Sequence, residues 1–151
     1  MKDWSRVLPN AKFDSKDFRV GRLVDEVLSL FPPTERPMRS VVVIRLRERS
    51  STKGRVGLTT FSPLGREDAE EDREGSPNPG KQRIDLYNGL LSQLSDEAAI
   101  GVIAHELAHA WLNEHVTPES SKRREAKADE VARGWGYGRY LDALDAETYS
   151  F

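Results

Sequence analysis

His105-Glu106-Leu107-Ala108-His109, set inside the apolar run Ala98 to Leu112, is the stretch on which the reading of this chain turns. An α-helix advances about 100° per residue, so histidines four apart lie roughly 40° from each other and can reach one metal ion together. Glu106 follows the first histidine on the flank of that face. A carboxylate there can touch water at the metal without ligating it, which is the place of a general base. The surroundings bear on this reading. Ile100, Val102, Ile103, Leu107, Trp111 and Leu112, with the intervening alanines, wrap most of the circumference, which predicts a largely buried helix. Buried histidines need partners, and two of the three histidines of the chain fall in this pattern.

Working outward, 151 residues suit a single domain, 1–151, with a core that needs no covalent staples. The absence of cysteine excludes disulfides and thiolate-bound zinc, leaving histidine and carboxylate as ligands. Met1 to Val20 is charged and mixed, and no stretch approaches the ~20 apolar residues of a membrane span. A soluble, cytoplasmic protein with no membrane partner is expected. With a net charge of −2 and 32% charged residues, no global field favours nucleic acid. Oligomeric state is not legible.

Upstream of the motif, Asp14 or Ser15 is expected to cap a helix carrying Val20, Leu23, Val24, Val27, Leu28 and Phe31 at helical spacing, ended by Pro32-Pro33. Val41-Val42-Val43-Ile44 opens a strand over Arg39 to Glu48 that starts buried and ends half exposed. Ser50 to Gly54 is turn chemistry, and Arg55 to Phe61 reads as the second arm of a hairpin. Basic residues along that hairpin (Arg45, Arg47, Arg49, Lys53, Arg55) read as a solvated face, because Glu48 interrupts them and no stacking aromatics accompany them. Ser62 to Gly80 is rich in Pro, Gly, Asp and Glu and reads as a flexible acidic loop. Lys81 to Asn88 alternates as a third strand, with Ile84 and Leu86 on one face and Arg83, Asp85 and Tyr87 on the other. Ser95, followed by Asp96 and Glu97, caps the metal helix. The expected fold class is α+β: a small mixed sheet of about three strands, an N-terminal helix, the buried HExxH helix and a further helix.

A catalytic zinc ion takes three protein ligands and leaves one position open. One candidate for the third is His115, which completes HExxHxxLxxH and so resembles the metzincin pattern. That pattern has glycine where Leu112 stands, and a downstream methionine turn, whereas Met1 and Met38 both lie upstream. The other candidate lies beyond Thr117-Pro118, on a helix starting at Ser120 or Ser121 that contains Glu125-Ala126-Lys127-Ala128-Asp129. Ala128, Val131 and Ala132 would make this helix slim enough to pack closely. HExxH followed by ExxAD resembles the gluzincin zinc peptidases, in particular the minigluzincins and the ImmA/IrrE-type peptidases, although the interval from His109 to Glu125 is short for many gluzincins.

That resemblance implies that zinc is held by His105, His109 and Glu125, that Asp129 orients a zinc-binding histidine from behind, and that Glu106 is the catalytic base. It also implies an edge strand, for which Lys81 to Asn88 is the candidate, that pairs with an extended peptide or protein substrate. The expected function is a zinc-dependent endopeptidase, and in a latent form the 62–80 loop or the N-terminal segment would cover the cleft. The alternative is a gluzincin-like metal-binding module that regulates a partner without cutting it. Tyr137 and Tyr140 read as packing aromatics, with an oxyanion contact as the other reading.

Overall fold

The computed structural model describes residues 4–47, 57–62, 81–115 and 121–148, with the backbone alone at 57–62 and 121–122. In chain order these form β1 (Lys12–Asp14), α1 (Phe18–Leu30), β2 (Val41–Arg47), β3 (Gly57–Ser62), β4 (Lys81–Tyr87), a single turn α2 (Asn88–Leu91), α3 (Asp96–His115), α4 (Ser121–Ala132) and α5 (Gly138–Thr148). The proposed loop over 62–80 lies, apart from Ser62, outside the described residues. So do Arg49, Lys53 and Arg55. Among the described residues no helix is long and apolar enough to cross a membrane.

The α+β reading holds, with a mixed sheet of four strands in the order β1-β2-β4-β3. β1, β2 and β4 run parallel, and β3 is antiparallel to β4. Two expectations are corrected. β2 and β3 do not form a hairpin, because β4 lies between them. Parallel pairing sets Ile44 beside Ile84 and Leu46 beside Leu86, so the apolar faces of the two strands merge into one core surface. For the same reason β4 is central, and the edges are β1 and β3. The valine run has a further consequence. Register shifts between Val41 and Val43, and this bulge changes the phase of alternation, so that Val41, Ile44 and Leu46 are all buried.

α1 buries Val20, Leu23, Val24, Val27 and Leu28, as its spacing requires. Its cap is Asp17 rather than Asp14 or Ser15: Asp17 Oδ1 accepts from Val20 N at 2.9 Å, and Ser15 Oγ accepts from Asp17 N one step earlier. At the other end Arg6 Nη2 donates to the Leu28 and Phe31 carbonyls at 2.9 and 3.0 Å, satisfying acceptors that the helix leaves open. The N-terminal segment is thereby fastened to α1, with Trp4, Val7 and Leu8 buried.

α3 runs through the middle of the domain, packed against α1, β3, β4, α4 and α5. Ser95 caps it as expected, its Oγ accepting from Ala98 N at 3.2 Å. α5 crosses so near that a methyl group at Gly101 would stand 2.5 Å from the Tyr140 carbonyl oxygen. Between α4 and α5 the chain makes a wide turn, Arg133–Tyr137, in which Gly136 adopts φ 104°. Glycine reaches that conformation without the steric cost that a side chain would bring.

Candidate metal centre

Two helices build the centre. α3 projects His105 and His109 from consecutive turns, and α4 brings Glu125 across to them. Close approach follows from composition, since Ala128 and Ala132, which share the Glu125 face at helical spacing, are fully buried. The two imidazoles meet at 85°, with ring centroids 4.7 Å apart. His105 Nε2 lies 3.0 Å from Glu125 Oε2, His109 Nε2 lies 2.9 Å from Glu125 Oε1, and the two Nε2 atoms are 3.1 Å apart. One ligand atom from each of the three residues therefore falls within 4.8 Å of the others.

This donor set can be tested against zinc. Bonds of about 2.0–2.2 Å at tetrahedral angles place neighbouring donors roughly 3.4 Å apart, so these separations are only about 0.3–0.5 Å short of that. Two imidazoles and one carboxylate also match a zinc site that keeps an open position. The residues fit the ion.

Access is one-sided. The histidine side chains are recessed, 18% and 15% exposed, whereas that of Glu125 is 66% exposed, so the centre opens towards solvent past the carboxylate. Electrostatics bind the group together. Burial works against a charged His105, but the hydrogen bond to Glu125 and the charges of Glu106, Glu125 and Asp129 outweigh it and hold its pKa above the ordinary imidazole value. Hydrogen bonds to His105 and His109 hold the Glu125 carboxyl far below the usual carboxylate range, against the opposing effect of burial. Glu106 is buried beside the histidines, and its charge reaches His105.

The remaining sequence candidates separate clearly. Asp129 Oδ2 accepts from Arg133 Nε at 2.7 Å, and Arg133 Nη1 donates to Asp142 Oδ1 at 2.9 Å, so the aspartate is held between α4 and α5 while its charge is felt at His105. His115 is not brought to the centre. α3 continues unbroken through Leu112, and His115 is exposed, packed against Trp111 with centroids 4.7 Å apart. Tyr137 is a packing residue: its hydroxyl donates to the Val27 carbonyl at 2.6 Å inside the core, and burial pushes its pKa up. Tyr140 is also buried, and its hydroxyl accepts from Arg139. Among the described residues of the N-terminal segment, Trp4 Nε1 donates to Asp25 Oδ1 and Arg6 to the Leu28 and Phe31 carbonyls, which lays this part of the chain along α1.

Sequence reasoning passed over one network. Gln82 is fully buried, and its Nε2 donates to the Ala110 carbonyl at 3.0 Å and to Ser40 Oγ at 2.8 Å, while its Oε1 accepts from Asn113 Nδ2 at 2.9 Å. Its signal was present in the alternation Gln82, Ile84, Leu86, which sets an amide on a core-facing position.

A model of Peptidase family M48 matches residues 74–123, about a third of the chain. The matched stretch includes β4, α2 and α3, hence both histidines and Glu106, and stops short of Glu125. No curated protein and no solved structure matches. The likeness supports a relationship to zinc metallopeptidases.

Proposed function

We propose that this chain is a gluzincin-type zinc endopeptidase in which His105, His109 and Glu125 hold the metal and Glu106 is the general base. The observation that carries the reading is the convergence of two imidazoles from α3 and one carboxylate from α4 on a single point, with a buried glutamate beside them. The match to Peptidase family M48 over the HExxH helix supports it independently.

When bound, zinc supplies Lewis acidity that polarises a carbonyl and lowers the pKa of water. The protein's own residues do the rest. Glu106 takes a proton from the attacking water and delivers it to the leaving amine. Burial keeps bulk water away from Glu106 and so favours this transfer. The negative charge of Asp129 stabilises His105 from the α4 side. Substrate would lie extended along β3, the edge strand that packs on α3, and gain main-chain hydrogen bonds there.

The test compares wild type with Glu106→Gln, both loaded with one equivalent of zinc, on unfolded protein substrates. Retained metal with turnover reduced about 10²–10⁴-fold is the expected result. Zinc binding with no cleavage by wild type would favour a metal-binding regulatory module, and equal cleavage by the two proteins would remove Glu106 from the chemistry.

A further inference from the structure

α3 carries the centre, and its buried surface mixes large side chains, Ile100, Val102, Ile103, Leu107 and Leu112, with many small ones. Ala98, Ala99, Gly101, Ala104, Ala108 and Ala110 are all buried on it. Helices register against their neighbours by interlocking ridges and grooves, and small side chains make shallow ridges. Where the contact is made by small side chains, directional bonds add to the packing of the large ones in fixing the height and rotation of this helix. At its N-terminus Ser95 is held by Glu147, and Asp96 by Arg19 and Arg22. Near its C-terminus, within one turn after His109, the corresponding tie is made to the sheet.

That tie is the amide pair of Gln82 and Asn113. Gln82 stands on β4, paired in the ladder with Phe61 of β3 on one side and with Val41 of β2 on the other. From there it reaches the Ala110 carbonyl, the Asn113 amide and Ser40 Oγ, and Ser40 in turn donates through both N and Oγ to Glu114. One buried side chain thus joins the last turns of the histidine helix to the sheet at the level of the edge strand. An apolar pair of similar volume would pack there without any polar group to satisfy, but it would not define a register.

We infer that Gln82 and Asn113 are positioning residues: their amide pair sets the height of His105 and His109 relative to β3, and with it which peptide bond of a strand lying along β3 is presented to Glu106. This rests on the peptidase reading above. The pair touches neither metal nor substrate and acts through the placement of α3.

The experiment uses the full chain carrying Gln82→Leu and Asn113→Leu together, which removes both amides and leaves apolar side chains of nearly the same number of heavy atoms. Three quantities are compared with wild type: zinc affinity by chelator competition, paramagnetic shifts of the β3 backbone amides in cobalt-loaded protein, and kcat, KM and scissile-bond position on an unstructured peptide read by mass spectrometry. The expected result is a folded protein with zinc affinity within about twofold of wild type, altered β3 shifts, kcat lower by about 10²-fold with KM little changed, and cleavage spread to neighbouring bonds. Unchanged shifts and an unchanged cleavage pattern in the folded double variant would overturn the inference. If wild type cleaves nothing, the peptidase reading fails separately, and the cobalt shifts still decide the positioning role: altered shifts support it, unchanged shifts refute it. Should the double variant not fold, Asn113→Ala is measured in the same way, with the same outcomes deciding.

Discussion

Arg133 Nε donates to Asp129 Oδ2 at 2.7 Å across one turn of helix, and the same guanidinium reaches Asp142 and Asp145 on α5. Asp129 on α4 is thus fastened through Arg133 to α5, the next helix in the chain. Metal affinity should grade accordingly. Glu125→Ala is expected to lose tight zinc binding, Asp129→Asn to weaken it by roughly 10–100-fold, and Arg133→Gln to weaken it by no more than about tenfold. His115→Ala should leave affinity unchanged. Chelator competition on the four variants checks the order, and loss of zinc in His115→Ala with retention in Glu125→Ala would reverse the assignment.

The contact between Gly101 and the Tyr140 backbone leaves no room for a side chain. Gly101→Ala should destabilise the protein by roughly 1–3 kcal/mol, since α5 must move off α3. Gly136→Ala has open space around it, and its penalty comes from the positive φ instead, at about 1–2 kcal/mol. Urea denaturation measures both. A neutral Gly101→Ala would mean that the two helices are not packed so closely.

The start of α3 should be sensitive to acid. Hydrogen bonds from Arg22 and Arg19 hold Asp96 below the ordinary carboxylate pKa, and those from Ser95 Oγ and Ser95 N do the same for Glu147. A carboxylate with a depressed folded-state pKa contributes stability above its unfolded pKa of about 4 and loses it as pH falls through the folded value. Amide protection in the first turn of α3, taken relative to the intrinsic exchange rate at each pH, is therefore expected to fall from about pH 4 downwards. In the double variant Asp96→Asn, Glu147→Gln that pH dependence should flatten, and a profile identical to wild type would show that these carboxylates do not control the helix end.

Tyr137 offers a test of the chemistry by exclusion. Its hydroxyl is committed to Val27, so Tyr137→Phe should cost about 1 kcal/mol of stability and leave kcat within about twofold of wild type. A loss of 10²-fold or more, the size expected for a missing oxyanion donor, would place the phenol in the reaction after all.

Legibility in the sequence followed from whether a feature is local. The α1 face and the capped, buried α3 were readable because period and capping are written within a few residues. Glu125 was readable as one of two candidates, and the ExxAD resemblance favoured it over His115. The hairpin between β2 and β3 failed because adjacency in the chain suggested a pairing that the apolar faces of β2 and β4 override. β1, at three residues, is too short to show alternation. Gln82 was missed because its partner Asn113 lies 31 positions away, and no local pattern links two amides across a helix and a sheet.

The parallel junction of β2 with β4 also bears on the order in which the molecule assembles. It joins Arg45 to Asp85, 40 positions apart, whereas His105 and Glu125 are 20 apart and sit on neighbouring helices. Contacts between distant positions pay a larger loop-closure entropy before they return any stabilisation, so the helical pair has the shorter search. Metal present during synthesis or refolding would therefore meet its three ligands on a nascent helical hairpin and stabilise that hairpin by its own binding. The ion would then act as a template against which the slower sheet closes, and refolding rates should rise with zinc concentration even when the final stability is measured with the metal removed.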